Sequence, residues 1–444
     1  MLPLLDDLVQ AHGVGGQKDL PISLPLAISG AVAALVVSFT VLAVAWRSPR
    51  YDAATSGRPA PAWLDRTVRS TAFRAGLRAV GFVLFVYTGI AALFGQNLFI
   101  NPVFGLFYVV LWVGVVFASA FLGPVWKAIS PVRTINLAFA KVSGSDPDRG
   151  VYDYPERWGY WPAALGLYAF VWMELVYPFQ TDLPSVRLWM TIYVAAMLVG
   201  GALFGNGFYE RADPFEVFSS LIGKLSPWSI RDGHLIVRSP LANLDSVEVR
   251  PGLIAVVAVL FGSTGYDSFR ESSRWLQYVQ GSDLSENVLN NAALLAFCVV
   301  VGLVFTLGCM LTGVGPETPR RTLPDRLAHS VVPIVLGYFV AHYLTYFFEV
   351  SQRTLQYASD PFSDGSDLLG TADLQINYWF SNHQTLVANI KVVAVVIGHV
   401  LGAMAAHDRS VKLLPRRHQL TGQLPVLFAM ISFTAGGLYL LFAG

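Results

Sequence analysis

The 444 residues are 54% hydrophobic and only 13% charged, with a mean hydropathy of +0.52 and a formal net charge of +1. Soluble domains carry about 25% charged residues, so this composition predicts a polytopic protein in contact with a lipid bilayer, with short connections between its spans. The near-neutral balance argues against a nucleic-acid surface.

The first stretch, residues 1–23, carries Asp6 and Asp7 where a signal peptide would be cationic. It is expected to be retained as an external N-terminal segment. Long apolar runs then predict ten transmembrane helices, at about 24–46, 77–97, 102–122, 160–178, 185–205, 251–266, 292–314, 328–350, 384–406 and 423–443. Most hold the roughly 20 residues needed to cross about 30 Å of hydrocarbon. With the N-terminus outside, the cytoplasmic connections carry 23 Lys and Arg. The other side carries five: Lys18, Arg187, Arg270, Arg274 and Arg353. This asymmetry predicts both termini outside a bacterial plasma membrane. The fold class expected is all-α, a transmembrane bundle forming one domain over residues 24–444, with cytoplasmic interfacial helices. Five spans per half would suit an inverted repeat, but the halves share no matching motif.

Two connections carry helix signals. In ADPFEVFSSLIGKLSPW, from Ala212, Asp213 can cap a helix, Pro214 takes its first turn and Glu216 closes a capping box. Phe215, Phe218, Ile222 and Leu225 then form an apolar face, as in a helix lying on the membrane surface or an amphipathic one packed under the bundle. GPVWKAISPVRTINLAFAKV, from Gly123, has a similar start at Ser130 and Pro131. Farther on, DGHLIVRSPLANLDSV, from Asp232, reads as either a small hairpin or a coil, with Gly233 and the short apolar run hinting at a strand.

The sixth span ends FGSTGYDSFR, Phe261 to Arg270. Gly262 and Gly265 predict either a broken helix presenting Tyr266 and Asp267 to a cavity or a plain helix stop with an exposed aspartate. In the seventh, Cys298 and Cys309 stand roughly 16 Å apart along a helix, too far for a disulfide. They are expected to be packing residues.

The eighth span holds the strongest signal, YFVAHYLTYFFEVSQ from Tyr338 to Gln352. At 100° per residue, Tyr338, His342, Thr345, Glu349 and Gln352 share one stripe of an otherwise apolar helix. Ionisable groups at membrane depth cost several kcal/mol unless they face the bundle interior, so this helix is expected to line an inner site. His342, Glu349 and Asp267 are the candidate catalytic residues. Glu174, Tyr266, Tyr338, Asn389 and Lys391 lie at similar depth toward the outer surface and are candidate substrate or ion contacts, alongside His383. Histidine with carboxylate can hold Zn²⁺ or a similar divalent ion, with His342 and Glu349 as ligands and His12 reaching over from the external segment. The same layer suits a proton relay, or a small cation drawn by Asp360, Asp364, Asp367 and Asp373.

In the ninth span, GHVLGAMAAHDRS from Gly398, Gly398 and Gly402 form a small-residue ridge that admits another helix closely. His399 beside it is expected to hydrogen-bond across helices, and His407 with Asp408 to form a solvated helix end. No HEXXH, paired CXXC, Walker loop, GXSXG or dinucleotide fingerprint is present.

Taken together, AHGVGGQKDLP (Ala11 to Pro21), GPVWKAISPVRT (Gly123 to Thr134), FGSTGYDSF (Phe261 to Phe269) and GHVLGAMAAHD (Gly398 to Asp408) resemble actinobacterial polytopic membrane proteins labelled fenitrothion hydrolase-like. The similarity covers nearly the whole chain. It implies a membrane-bound protein linked to hydrolysis of organophosphate triesters. Three readings therefore stand at this point: a metal-assisted ester or phosphoester hydrolase, a transporter of a proton, metal or small cation, and an accessory subunit working with other membrane subunits. The small-molecule substrate is not legible.

Overall fold

The computed structural model describes residues 17–312, 314, 318–415, 418–419 and 421–442. Helices numbered in chain order are α1 (Leu24–Ala45), α2 (Ala62–Arg69), α3 (Thr71–Phe94), α4 (Pro102–Leu122), α5 (Val125–Ile129), α6 (Pro131–Ser143), α7 (Trp161–Leu175), α8 (Leu183–Phe204) and α9 (Asn206–Ala212). They continue with α10 (Pro214–Gly223), α11 (Pro240–Leu244), α12 (Leu253–Arg270), α13 (Ser273–Gln280), α14 (Glu286–Met310), α15 (Leu323–Leu327), α16 (Val332–Tyr357), α17 (Gln384–Leu413) and α18 (Leu424–Phe442). Proline occupies the first turn of α1, α4, α6, α7, α8 and α10, where its missing N–H costs nothing. Side-chain caps set other starts. Ser70 accepts from Phe73 N, Asn101 from Val103 N and Ser285 from Val288 N.

Among the described residues, eight helical stretches are long and apolar enough to cross a membrane: α1, α3, α4, α8, α14, Arg320–Tyr357, α17 and Thr421–Phe442. Each matches an expected span. The other two expected spans are also helical but fall short. α7 has 15 residues, about 22 Å at 1.5 Å per residue, and α12 has 18, about 27 Å. Most of the length of the long apolar helices α1, α3, α8 and α14 faces outward with Val, Leu and Phe, which is compatible with contact to lipid.

Within the bundle expected over 24–444, contacts delimit two compact units, a division the apolar runs do not signal. The first holds the described residues of Met1–Ser56, Leu244–Tyr346 and Tyr378–Gly444. The second holds Gly57–Asn243 and Phe347–Asn377.

In the first unit, the glycine ridge of α17 makes the close approach its spacing predicts. A Cβ on Gly398 would lie 2.6 Å from Pro333 O, one on Gly402 2.6 Å from Ser330 O, and one on Gly337 2.4 Å from Ala394 O. Backbone meets backbone there, so α16 and α17 pack without intervening side chains. α12 is continuous through FGSTG, which corrects both expectations for that stretch. Gly262 lets α14 approach until a Cβ would stand 2.6 Å from the Cα of Cys298, and Thr264 returns its hydroxyl to Leu260 O at 2.8 Å. Cys298 and Cys309 are free and buried, as packing residues should be.

His407 and Asp408 do not form a solvated end. Both are buried in the first unit, where they fasten the chain leaving α1. His407 Nε2 lies 2.9 Å from Trp46 O, and Asp408 Oδ1 accepts from Trp46 Nε1 at 3.1 Å and Arg50 N at 2.7 Å. His399 is buried too, but its Nδ1 bonds Val395 O of its own helix at 2.8 Å rather than a neighbouring helix.

In the second unit, Asp213 caps α10 as expected, accepting from Phe215 N at 3.0 Å and Glu216 N at 3.4 Å. Glu216 does not close a capping box. Its carboxylate takes Arg133 of α6 in a two-pronged ion pair, with Nη2 2.6 Å from Oε1. Of the two expectations for α10, the packed one fits rather than the surface one, because every residue except Ser220 is buried. α6 fits the surface description better, leaving Phe139 and Val142 exposed.

DGHLIV is the hairpin its glycine suggests. Strands β2 (Trp228–Arg231) and β3 (His234–Val237) pair antiparallel through a turn at Asp232 and Gly233, with φ of 52° and 77°. These are the positive angles of a tight two-residue turn. A short strand β1 (Arg58–Pro59) adds on the far side of β3, giving the order β1-β3-β2.

Candidate functional site: a buried histidine and carboxylate

In the first unit α12 and α16 bring polar residues together inside an apolar surround. Asp267, Ser268 and His342 are all buried. His342 Nε2 lies 2.8 Å from Asp267 Oδ2, and its Nδ1 lies 3.2 Å from Ser268 Oγ. The same Asp267 oxygen accepts from Tyr343 OH at 3.0 Å, while Oδ1 faces Arg270 Nε at 3.2 Å. With Nε2–H donated to the carboxylate, Nδ1 faces the Ser268 hydroxyl, which also reaches Thr264 O at 3.4 Å. Asp267 therefore keeps a compensated charge in a place where a bare one would be prohibitive.

Other charges border this group. Glu271, the exposed residue that follows α12, has Asp267, His342, Arg270 and Lys391 as its charged neighbours. Lys391 of α17 is buried, faces Glu271 and Asp19, and holds its ammonium 6.0 Å from the Phe442 ring centroid.

Of the residues expected at the site, His342 and Asp267 thus come together, and Lys391 is linked to them only through their shared neighbour Glu271. Tyr338 is buried on the same stripe and borders Ser268 and Asp267, while its hydroxyl donates to Gly437 O at 2.9 Å and ties α16 to α18. Tyr266 points away from Asp267, toward the Phe297 ring of α14, and its buried hydroxyl has no hydrogen-bond partner among the described residues. Asn389 is exposed and His383 stacks on Trp379 at the exposed start of α17, so neither joins. Glu349 is buried seven residues beyond His342, about 10 Å farther along the helix, and groups with the second unit, as does Glu174. The carboxylate that takes the His342 ring is Asp267, not Glu349, because both ring nitrogens are already engaged. His12 lies outside the described residues.

Ser268, Tyr343 and Arg270 were not anticipated. The available signal was adjacency: Asp267-Ser268 and His342-Tyr343 are neighbouring polar pairs in apolar helices, and residues 100° apart can grip one partner from both sides.

The third ligand expected for a divalent ion, His12, lies outside the described residues. A tetrahedral site wants at least three protein ligands, and among the described residues no group of three His, Cys, Asp or Glu side chains is placed to hold one. Coordination by His342 would also cost it Asp267 or Ser268. The chemistry the geometry does allow is proton exchange at the Asp267–His342 pair, with the Ser268 hydroxyl at the other ring nitrogen.

A second buried cluster lies in the second unit. Asp213 accepts from Trp126 Nε1 at 3.0 Å and Tyr193 OH at 3.0 Å in addition to the two α10 amides. Burial and the neighbouring Glu216 push its carboxyl up to about 7 against the pull of Trp126 and Tyr193. At the sheet, Asp65 accepts from Leu235 N at 2.8 Å and contacts His234 and Arg69, and these bonds, the Leu235 amide first, lower its carboxyl to about 2.

Comparison with family models, curated proteins and solved structures returned no match.

Proposed function

We propose that this chain is a bacterial plasma-membrane protein of ten spans, with both termini outside, that takes up and releases a proton at the Asp267–His342 pair and couples that step to movement of a solute or small cation. One observation carries the reading: a carboxylate and an imidazole 2.8 Å apart, both buried, on helices packed among neighbours long and apolar enough to cross a membrane. Such a pair is expensive to keep unless it works, and a proton is the one ligand it can exchange without a third donor. Ten spans, with α7 and α12 as the two short ones, preserve the alternation of basic connections that places both ends outside. Short helices are compatible with crossing where neighbouring helices, rather than lipid, cover them, and α12 is buried along most of its length.

The test is proton movement in liposomes that enclose a pH-sensitive dye. The native protein is expected to pass protons when a potential is imposed, and Asp267→Asn and His342→Gln to abolish this. Unchanged flux in Asp267→Asn overturns the proposal.

A hydrolase reading is favoured by the Ser268–His342 contact. Ser268 Oγ would attack a carboxylic or organophosphate ester, passing its proton to His342 Nδ1. The imidazolium, steadied by Asp267, would return that proton to the departing alkoxide, and water would then release Ser268. Here Ser268→Ala must abolish ester cleavage, whereas the transport reading leaves proton flux in that variant largely intact.

A further inference from the structure

The second unit contains an apolar cavity of about 130 Å³, bounded by α3, α4, α5, α8 and α10. Cavities of roughly 150 Å³ with such walls stay dry and take up small hydrocarbons.

The wall given by α4 is unusual. Gly105–Gly114 is wound as a π-helix, ten residues long, where single-turn bulges are the rule. The residues it turns toward the cavity are Leu106, Phe107, Val110 and Leu111, followed by Val115. At 100° per residue Leu106 and Val115, nine positions apart, would face opposite sides of an α-helix. With bonds from i to i+5 the coil widens to about 4.4 residues per turn, so positions four and five apart stack and the stripe stays on one side. Gly105 opens this segment against the Thr354 side chain, which would stand 2.1 Å from a Cβ there. The rare winding thus presents four aliphatic side chains to one space.

The far wall is apolar because its polar atoms are turned out. Trp126 and Tyr193 line the cavity, and their indole N–H and hydroxyl are both spent on Asp213. Thr88, also on the wall, returns its hydroxyl to Leu84 O at 2.7 Å. These three leave no polar atom for a guest. One side is open: Leu84 is 42% exposed on α3, next to the exposed Val80 and Val83 of that spanning helix. In a bilayer such an opening meets acyl chains, not water or headgroups.

We infer that the cavity between α3, the π-wound segment of α4 and α8 holds the end of one membrane-lipid acyl chain, admitted sideways from the bilayer. The inference rests on the membrane reading alone and stands whether or not Asp267 and His342 exchange a proton.

The experiment uses the full-length protein in detergent micelles with trace phosphatidylcholine carrying a mid-chain diazirine, and locates crosslinks by peptide mass spectrometry. Crosslinks are expected to concentrate on residues 106–115, to fall at least fivefold in Val110→Trp, and to be displaced by unlabelled diacyl phosphatidylcholine but not by a polyisoprenol. Leu106→Phe is a gentler filling should Val110→Trp lose the native melting transition, and it is expected to act in the same direction. Labelling spread evenly over the outward faces of α3 and α8, unmoved by either filled variant, would show annular lipid only and overturn the inference. Displacement by polyisoprenol in preference to the diacyl lipid would overturn the acyl-chain assignment.

Discussion

His342 Nε2 and Asp267 Oδ2 stand 2.8 Å apart although 75 residues separate them in the chain. The imidazole N–H compensates a carboxylate that Arg270 and Tyr343 hold from its other sides. Removing one partner of a buried pair leaves the other charge uncompensated and costs about 3 to 5 kcal/mol. His342→Ala is expected to destabilise by that amount. His342→Gln keeps an N–H donor and should cost less than half as much, measured by denaturant unfolding in detergent. Equal losses would mean that the ring acts through packing instead.

The Arg133–Glu216 pair gives the clearest double-mutant case. Glu216 is 1% exposed and Arg133 grips both its oxygens. Arg133→Met alone should cost about 3 to 5 kcal/mol, since it strands a buried carboxylate. Arg133→Met with Glu216→Leu should recover most of it. A double variant as unstable as the sum of the two single ones would show that the two side chains do not interact.

Gly398 faces the Pro333 carbonyl with no room for a methyl group. Gly398→Val is expected to push α16 from α17 and cost about 1 to 3 kcal/mol in melting experiments. At Gly30 of α1 a Cβ would meet nothing within 4 Å, so Gly30→Val should change the melting temperature little.

Asp65 makes the small sheet sensitive to acid. Its folded carboxyl, near 2, lies below its unfolded value of 3.8. The stability it contributes is therefore present above about pH 4 and is lost as pH falls through about 2. Hydrogen exchange should show faster opening of residues 228–238 in Asp65→Asn at neutral pH, and a native sheet that loosens toward the variant's behaviour only below pH 4.

Much of the architecture was legible because membrane crossing is a local requirement. Residues 24–46 and 384–406 read as helices from length and apolarity alone, and α1 and α17 follow those runs closely. The cap at Asp213 and the turn at Gly233 were equally local, since each depends on a few neighbouring residues. The inward stripe of α16 was legible too, and it led to His342.

The errors share one cause. Glu349 sits on the same helix as His342 at helical spacing, whereas Asp267 must arrive from another helix, and spacing cannot report helix order. α10 looks amphipathic because Glu216 is charged, yet Arg133 neutralises it and the helix is buried all round. His407 and Asp408 read as a wet helix end until Trp46 and Arg50 supply their partners.

By itself the sequence determined that long apolar helices dominate the chain and which stripe of α16 is buried, because apolar runs and helical spacing belong to each segment separately. Only the tertiary structure decided which carboxylate meets His342, that Ser268 closes its other nitrogen, and that α4 unwinds into a π-coil beside a cavity. Those outcomes depend on which helices become neighbours, and a hydrogen bond between residues 75 positions apart leaves no mark on the local pattern of either segment.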